Sequence, residues 1–255
     1  MQITIIGAGN VGSHLARALH GSGHTVAQIY SRQLSNARGA AKPVNAQPID
    51  RLSAVSPNTQ LCLLSVKDDA IGSVAATVSQ YLPEGAIIAH TSGATPATAL
   101  SAHWPHFGVF YPLQTLSKNQ PADFDHIPLC IDGASPGIQQ VLLQLARSIS
   151  SQVYLVDDEQ RAILHLAAVF INNFTNAMLQ AGHTLTQEAQ LPQGILKPLL
   201  HATIEKGSRY EPRTVQTGPA IRSDQQTIER HLGQLANHPE LSAVYKAITA
   251  YIKTF

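Results

Sequence analysis

The feature that most restricts the fold of this chain is a group of three glycines directly after a short apolar run at its start. The run Gln2 to Ile6 is followed by a glycine-rich turn and then by a helical pattern. In such a turn the first glycine permits a sharp bend, the second lets a phosphate approach the backbone, and the third lets helix and strand pack closely. The start of the helix adds N–H groups and the positive end of its dipole. The pattern predicts a dinucleotide pyrophosphate site, the alternative being a tight turn without a ligand; its residues are Gly7, Gly9, Asn10, Val11 and Gly12.

Short apolar runs alternate with helical segments over the first 155 residues or so. This alternation is typical of strand–helix–strand units that build a parallel sheet. Most runs are apolar throughout, as expected for strands that are covered on both faces. The sequence therefore predicts an α/β fold with a Rossmann-type doubly wound parallel sheet, whose strands would be 2–6, 25–30, 61–66, 86–90, 108–111, 129–131 and 153–156.

The character of the sequence changes after Asp157-Asp158. From Glu159 to Gln190 there is no proline and one glycine, and the apolar residues recur at helical spacing, which predicts one long helix. Shorter helical patterns come after it, separated by proline and glycine breaks. We therefore expect a Rossmann domain over residues 1–157 and an all-helical domain over residues 158–255 that binds substrate and dimerises.

The end of the second predicted strand bears on the choice of dinucleotide. An NAD site normally has a carboxylate there for the ribose 2′-OH, whereas an NADP site needs cationic and hydroxyl donors for the 2′-phosphate. Here the strand ends in Ser31-Arg32, and no acidic residue precedes Asp50. Arginine can hold a phosphate and stack on adenine. Ser31 and Arg32 are thus expected to favour NADP(H), unless Arg32 is a solvated surface residue.

Polar residues come after three more of the predicted strands. Ser65-Val66 ends the third, His90-Thr91-Ser92-Gly93 the fourth, and Tyr111 to Thr115 the fifth. Ligands in doubly wound sheets lie across the carboxyl ends of the strands, so Ser65, Val66, His90 and Ser92 are expected to line the cofactor site. The alternative is that Ser92 and Thr91 cap the next helix and that His90 is a satisfied buried histidine.

The long helix carries a polar stripe. At 100° per residue, His165, Asn172 and Asn176 share a narrow sector with Asn173 at its margin, and the segment holds no charged residue between Arg161 and Glu188. An uncharged polar stripe suits a shielded site. We expect His165 to donate a proton at a reacting carbonyl or imine, with Asn173 and Asn176 orienting substrate. The alternative is that the amides pair within the core.

A further candidate lies in the break Thr217 to Asp224. Glycine and proline fix this loop, Asp224 can cap the next helix, and Arg222 can hold a substrate carboxylate. The alternative for Arg222 is an interdomain or intersubunit salt bridge.

Other function classes gain no support from the sequence. The formal net charge of +1, without basic runs, argues against nucleic acid. Two isolated cysteines, Cys62 and Cys130, and the proline-interrupted His103-x-x-His106 argue against a metal site. The start lacks the features of a signal peptide or membrane span, so we expect a cytoplasmic protein. A carboxy-terminal apolar stripe and a helical domain of about 100 residues make a homodimer plausible.

The chain as a whole resembles a group of NADP-dependent reductases with a Rossmann domain followed by a helical domain. It is most similar to Rossmann-like proteins with a DUF2520-type carboxy-terminal domain, which are related to pyrroline-5-carboxylate reductase and 6-phosphogluconate dehydrogenase-like proteins. The resemblance covers nearly the whole length, and its more specific parts are the helix that begins at His165 and the stretch Tyr-Pro-Leu-Gln-Thr from Tyr111. Two positions depart from the pattern: Lys67 replaces a proline common after the third strand, and His165 with Val169 replace the lysine and asparagine of hydroxyacid dehydrogenases.

The resemblance implies that the glycine turn and Ser31-Arg32 bind NADP and that the helical domain completes the active site. With the residues above, it leads us to expect an oxidoreductase that moves hydride between NADPH and a carbonyl or imine carbon of a small anionic substrate. The alternative is a protein that binds NADP without turnover, as a sensor or assembly factor.

Overall fold

The computed structural model describes residues 1–118, 120–192 and 194–255. Within these residues the first 155 positions form an eight-stranded sheet in the order β3-β2-β1-β4-β5-β6-β7-β8. The strand order reverses between β1 and β4, which is where ligands bind in doubly wound sheets. The strands are β1 Gln2–Ile6, β2 Thr25–Tyr30, β3 Gln47–Ile49, β4 Leu61–Leu64, β5 Ile87–His90, β6 Phe107–Pro112, β7 Leu129–Gly133 and β8 Val153–Leu155.

The α/β prediction is confirmed, with two differences in the sheet. The edge strand β3 was not predicted, because it is three residues long and contains Pro48, which sequence patterns exclude from a central strand. Strands β6 and β7 pair antiparallel, whereas all other neighbours are parallel. The short apolar runs carry no signal of direction, so this reversal was not predicted either.

The central strands are buried on both faces, as their uniformly apolar sequences predicted. In β4, Leu61 and Leu63 belong to one apolar cluster of the core, while Cys62 and Leu64 belong to the other. This alternation results from the two-residue period of a strand. Both cysteines of the chain are buried and unpaired. The helices of this region are α1 Asn10–Gly21, α2 Leu34–Ala41, α3 Ile71–Val78 and α4 Pro136–Arg147.

The predicted long helix is continuous but not uniform. It consists of α5 Asp158–Ala168, a π-helical segment Val169–Phe174 and α6 Thr175–Glu188. A capping box starts it, because Asp157 accepts from the Gln160 N–H while the Gln160 side chain accepts from the Asp157 N–H. The π-helical hydrogen bonds place about one extra residue in the turn.

The helical wheel drawn from the sequence assumes 100° per residue throughout, whereas a π-helical segment lies between His165 and Asn176. Asn173 and Asn176 are exposed, and their role at the site stays a prediction. Sequence periodicity cannot register a π turn, because it assumes one helical period throughout.

The chain divides into two compact units, Met1–Asn172 and Asn173–Phe255. The division lies within the π-helical segment, beyond the boundary drawn from the sequence at residue 157. Helix α5 belongs with the sheet because Arg161 and Asp158 bond the segment that comes after β5. In its described residues the second unit contains α6 and three further helices, which are α7 Lys197–Arg209, α8 Gln225–Gln234 and α9 Pro239–Ile252.

Candidate active site

The glycine-rich turn joins β1 to α1 at the point where the strand order reverses. Gly7 has φ +119°, and a Cβ added there would lie 2.1 Å from the carbonyl oxygen of Ser65. A Cβ at Gly12 would lie 2.0 Å from the carbonyl oxygen of Gly7. Since real Cβ atoms do not approach backbone oxygen this closely, both glycines are required by the packing of the turn.

The middle glycine is different. A Cβ added at Gly9 would meet no described atom within 4 Å, so the chain does not need glycine there for its own packing. Gly9 is also the N-cap of α1, supplies no side-chain acceptor, and is followed by a first turn without acidic residues. Open space beside the positive end of a helix is what a pyrophosphate requires. Gly9 and the N-terminus of α1, with Asn10 and Val11, thus fit a dinucleotide pyrophosphate.

The end of β2 lies next to this turn, as the Gly7 N–H donates to the carbonyl oxygen of Tyr30 at 2.9 Å. Ser31 is half-buried, Arg32 is exposed, and both come directly after the strand. The edge strand β3 brings a carboxylate to the same edge, because Asp50 comes after its last residue and the Ser31 N–H donates to Ile49 O at 3.1 Å. The site therefore offers a cation and a hydroxyl at β2, with an acidic residue one strand further out.

The ends of β4 and β5 continue the same edge of the sheet. Ser65 and Val66 are half-buried just after β4, and Lys67 is exposed. Ser92 is buried, and its hydroxyl accepts from the N–H groups of Ala94 and Thr95 at 3.1 and 3.0 Å. Ser92 therefore fastens the turn after β5, whereas the next helical turn begins after Pro96 and is not capped by Ser92. Contact of these residues with a cofactor stays a prediction.

His90 is completely buried at the end of β5. Its Nδ1 accepts from the Ser92 N–H at 3.2 Å, whereas its Nε2 has no hydrogen-bond partner among the described residues. Burial, followed by the nearby charge of Arg161, lowers the pKa of His90 to about 4. The imidazole is thus neutral at physiological pH and carries its proton on Nε2.

The contact with the clearest chemical meaning joins Tyr111 and His165. The Tyr111 hydroxyl lies 3.2 Å from Nδ1 of His165, and the two rings meet edge to face with centroids 6.1 Å apart. Burial raises the pKa of Tyr111, with a further contribution from Cys130, so the hydroxyl stays protonated. Tyr111 can donate to neutral His165 or accept from the imidazolium, and in both states Nε2 of His165 is left for another partner.

The backbone of Gly93 lies close to both of these side chains. A Cβ added at Gly93 would lie 2.6 Å from Nδ1 of His165 and 2.7 Å from Cζ of Tyr111. The missing side chain therefore gives room to the pair. The sequence places Gly93 and Tyr111 at strand ends, but no sequence pattern signals that they meet at His165.

The other predicted catalytic residues lie in the second unit. Asn173 belongs to the π-helical segment, Asn176 to the first turn of α6, and Arg222 to the exposed loop before α8. Asp224 caps α8 as predicted, accepting from the Thr227 N–H at 3.0 Å, and this bond lowers the pKa of Asp224. The substrate roles of these residues stay predictions.

A metal centre has no basis in the described part of the chain, where no group of three or more His, Cys, Asp or Glu side chains is placed to hold an ion. The histidines of the His103-x-x-His106 segment do not form such a group.

We predict that alanine at Gly9 impairs cofactor binding, whereas alanine at Gly7 impairs stability. Gly9→Ala should leave the free energy of unfolding nearly unchanged and weaken NADPH binding at least about tenfold, because the methyl group fills the phosphate space. Gly7→Ala should cost about 2–4 kcal/mol of stability, because of its positive φ and the Ser65 oxygen. Urea unfolding and calorimetric titration measure both.

Gly39→Ala is the matched control, since a Cβ there on α2 also meets nothing within 4 Å. It should affect neither stability nor binding adversely. Wild-type NADPH affinity in Gly9→Ala would contradict this assignment of the turn.

Comparison with known proteins agrees with this architecture. A Rossmann-like domain model matches residues 1–103, and the model of DUF2520, a domain of unknown function, matches residues 127–252. No curated protein sequence matches the chain.

Solved structures match over the full length. The protein BF3122 from Bacteroides fragilis, named a "putative NADP oxidoreductase", is 39% identical, with a TM-score of 0.94 over 100% of this chain and 98% of its own. TM1727 from Thermotoga maritima is 18% identical, with a TM-score of 0.81 over 99% and 98% of the two chains. An imine reductase from Myxococcus stipitatus, in complex with NADP+, is 14% identical, with a TM-score of 0.74 over 100% and 93%.

At 18% and 14% identity the last two structures show a shared fold. The first, at 39% identity over the full chain, shows common membership of a family. This chain belongs to the family of Rossmann-like oxidoreductases that carry a DUF2520 domain after the nucleotide-binding domain.

Proposed function

We propose that this oxidoreductase reduces a carbonyl or imine carbon of a small anionic substrate with NADPH, and that His165 supplies the proton. The observation that carries the proposal is the Tyr111–His165 contact at 3.2 Å, on the sheet edge that also holds the glycine-rich turn. A phosphate-binding turn and a proton-transfer pair on one sheet edge are the two parts that a hydride-transfer site needs from its protein.

The nicotinamide cofactor, when bound, supplies the hydride, and the chain supplies binding and proton transfer. The N-terminus of α1 and the space over Gly9 receive the pyrophosphate, and Arg32 with Ser31 receives the 2′-phosphate. The support for NADP rather than NAD is the cation at the end of β2 and the name of the 39%-identical relative, an NADP oxidoreductase.

His165 completes the reduction by giving a proton to the substrate oxygen or nitrogen as the carbon gains its hydride. The imidazolium donates from Nε2, while Nδ1–H donates to the Tyr111 oxygen. After the transfer His165 is neutral and regains a proton from solvent. Tyr111 remains a phenol throughout, in keeping with its raised pKa. The net reaction consumes NADPH, one proton and the substrate.

The substrate side of the proposal involves the second unit. Asn173 and Asn176 would orient the substrate through amide hydrogen bonds, and Arg222 would hold its anionic group. Asn176 and Arg222 are exposed.

A direct test measures NADPH oxidation over a panel of keto acids, cyclic imines and aldehydes. We expect turnover on at least one of them, and a fall in kcat of about 10²–10⁴-fold in His165→Ala, the usual contribution of a general acid. NADPH affinity should persist in this variant. Gly93→Ala should lower kcat in the same direction, because its Cβ displaces the Tyr111–His165 pair.

Two variants serve as controls. His126→Ala removes a surface histidine, 78% exposed, and Gly85→Ala adds a Cβ that meets nothing within 4 Å. Both should keep wild-type kcat. Wild-type turnover in His165→Ala would exclude its role as proton donor, and tight NADPH binding without turnover on any substrate would favour the sensor.

Cofactor preference can be tested separately at the end of β2. Arg32→Asp should reverse the preference for NADPH over NADH, because a carboxylate repels the 2′-phosphate and accepts from a ribose 2′-OH. The loss in NADPH affinity should be at least about tenfold, measured by titration of both cofactors. Asp50→Asn, one strand further out, should leave the preference in place. Unchanged NADPH affinity in Arg32→Asp would exclude Arg32 from the 2′-phosphate site.

We further propose that the protein acts as a homodimer in the cytoplasm. Helix α6 has no buried residue in the single chain, although it carries Met178, Leu179 and Leu185. The exposed apolar residues of the long helix are Ile163, Leu166, Phe170, Ile171, Phe174, Met178, Leu179 and Leu185. A surface of this kind is normally covered by a partner. Two free buried cysteines are in line with a reducing compartment.

The same segment, Asp158–Glu188, is the one helix in the described ranges that is long and apolar enough to cross a membrane, because it contains an 18-residue window with a mean hydropathy of 1.4. Several polar side chains in its middle, including His165, Asn172 and Asn176, make a lipid environment costly. Its first turn also packs in the sheet unit, where Arg161 is 1% exposed. A second copy of the chain is therefore the proposed cover.

The dimer is tested by changing the most exposed apolar residue of this helix. Ile171→Glu, at a side chain that is 76% exposed, should convert a dimer into a monomer in sedimentation experiments, because a carboxylate cannot be buried in an apolar interface without a partner. Tyr81→Glu, at an exposed aromatic residue of the sheet unit, should not. A wild-type monomer at all concentrations, or recovery only in detergent micelles, would contradict the proposal.

A further inference from the structure

Arg161 is the largest fully buried side chain of the protein, although it is charged. It lies at the end of the first turn of α5 and is 1% exposed. One nitrogen, Nη2, donates to the carbonyl oxygen of Thr95 at 2.7 Å and pairs with the Asp158 carboxylate. The other two, Nε and Nη1, are buried without a hydrogen-bond partner among the described residues. The guanidinium is therefore only partly satisfied in the interior.

Arg161 and Asp158 together fasten one loop to α5. This loop comprises residues 91–97 directly after β5, and we call it the β5 loop. Both oxygens of Asp158 accept from the Ala97 N–H, at 2.8 and 3.0 Å, while Arg161 holds the Thr95 carbonyl two residues earlier. Two backbone groups of the loop, one donor and one acceptor, are thus bonded by one ion pair on the helix.

The β5 loop also contains Gly93, whose backbone faces the Tyr111–His165 pair. The room for both rings depends on where this backbone lies, as a single added carbon would come within 2.6 Å of His165. His165 is four residues after Arg161, one turn further along α5. The ion pair therefore fixes the distance between the helix that carries His165 and the loop that lies against it.

A purely structural role explains this arrangement poorly. Burying a guanidinium carries a large desolvation penalty, and each unpaired buried N–H adds to it. Apolar side chains of similar volume in place of buried ion pairs are often neutral or stabilising. Stability alone therefore does not call for arginine at this position.

The charge of Arg161 also reaches the site. It helps to lower the pKa of His90, after burial, and it opposes the rise in the pKa of Tyr111. Other charged groups that act there are Asp158 on α5 and Asp68 after β4. Arg161 thus adds positive potential beside the pair that handles the proton.

We propose that Arg161, acting with Asp158, is a positioning residue that clamps the β5 loop to α5 and so sets His165 against Tyr111. This inference rests on the proposed function, since it assigns the clamp to the proton-donating pair of that reaction. It adds a residue that neither the family resemblance nor the sequence pattern identified. Arg161 does not contact substrate in this role, and its effect passes through His165 and Tyr111.

The test compares Arg161→Met, Arg161→Lys and Asp158→Asn with Arg147→Met, which removes an exposed arginine at the end of α4. Three quantities are measured in the full-length protein: kcat and KM of the reduction, the Kd of NADPH, and hydrogen exchange at the Ala97 amide. Arg161→Met should lower kcat about 100-fold, because a displacement of His165 by about 1 Å has an effect of this size. The Kd of NADPH should stay within about threefold of the wild-type value. The Ala97 amide should exchange faster.

The other variants separate positioning from folding. Arg161→Lys should recover part of kcat because it keeps the charge beside Asp158, and Asp158→Asn should accelerate Ala97 exchange and lower kcat in a folded protein. Arg147→Met should match the wild type in all three measurements. If Arg161→Met does not fold, Arg161→Lys and Asp158→Asn decide the question.

A folded Arg161→Met enzyme with kcat within about threefold of the wild type would overturn the inference. So would Ala97 exchange at the wild-type rate in Asp158→Asn and Arg161→Met. If the wild-type protein turns over no substrate, the proposed function fails, and the clamp is judged from hydrogen exchange. Faster exchange of the Ala97 amide in Arg161→Met than in the wild type would then support the clamp, whereas an equal exchange rate would overturn it.

Discussion

The close approach of backbone to backbone at the β1–α1 turn is the constraint on which the rest of this protein depends. Gly7 and Gly12 are glycines because a carbon at either position would lie within about 2 Å of a carbonyl oxygen, from Ser65 or from Gly7 itself. This packing places the start of α1 directly over the switch in strand order. Gly9 is then left facing open space, where a phosphorylated ligand can use the N-terminal N–H groups.

The second half of the site is built by long-range contacts across the same edge of the sheet. Tyr111 from β6, Gly93 from the β5 loop and His165 from α5 meet only after three separate elements are in place. In the proposed reaction the His165 imidazole would carry the proton, and the Tyr111 phenol, whose pKa is raised, would orient the imidazole ring. Arg161 and Asp158 belong to this arrangement through the backbone that they hold.

The sequence predicted the parts of this protein that depend on local pattern. Seven of the eight strands, the glycine turn, the Asp224 cap and the long helix are explained by apolar periodicity and turn chemistry. The edge strand β3 was not predicted, because three residues around Pro48 are too few to form a recognisable pattern. The antiparallel direction of β7 was not predicted either, because a short apolar run does not indicate the direction of a strand. The π-helical segment was not predicted, because the helical wheel that grouped His165 with Asn176 assumes one helical period throughout. The role of His165 stays a prediction, whereas its contact with Tyr111 and the contact of Arg161 with Thr95 join positions more than fifty residues apart, which no local pattern signals.

The central claim is that the turn after β1 holds a phosphorylated nicotinamide cofactor whose reactive ring faces the Tyr111–His165 pair. A crystal structure of the protein with NADPH tests this most directly. The account predicts the pyrophosphate over Gly9 at the start of α1, the 2′-phosphate at Arg32, and the nicotinamide on the side of Tyr111 and His165. A cofactor bound elsewhere, or a nicotinamide directed away from both rings in a complete complex, would contradict it.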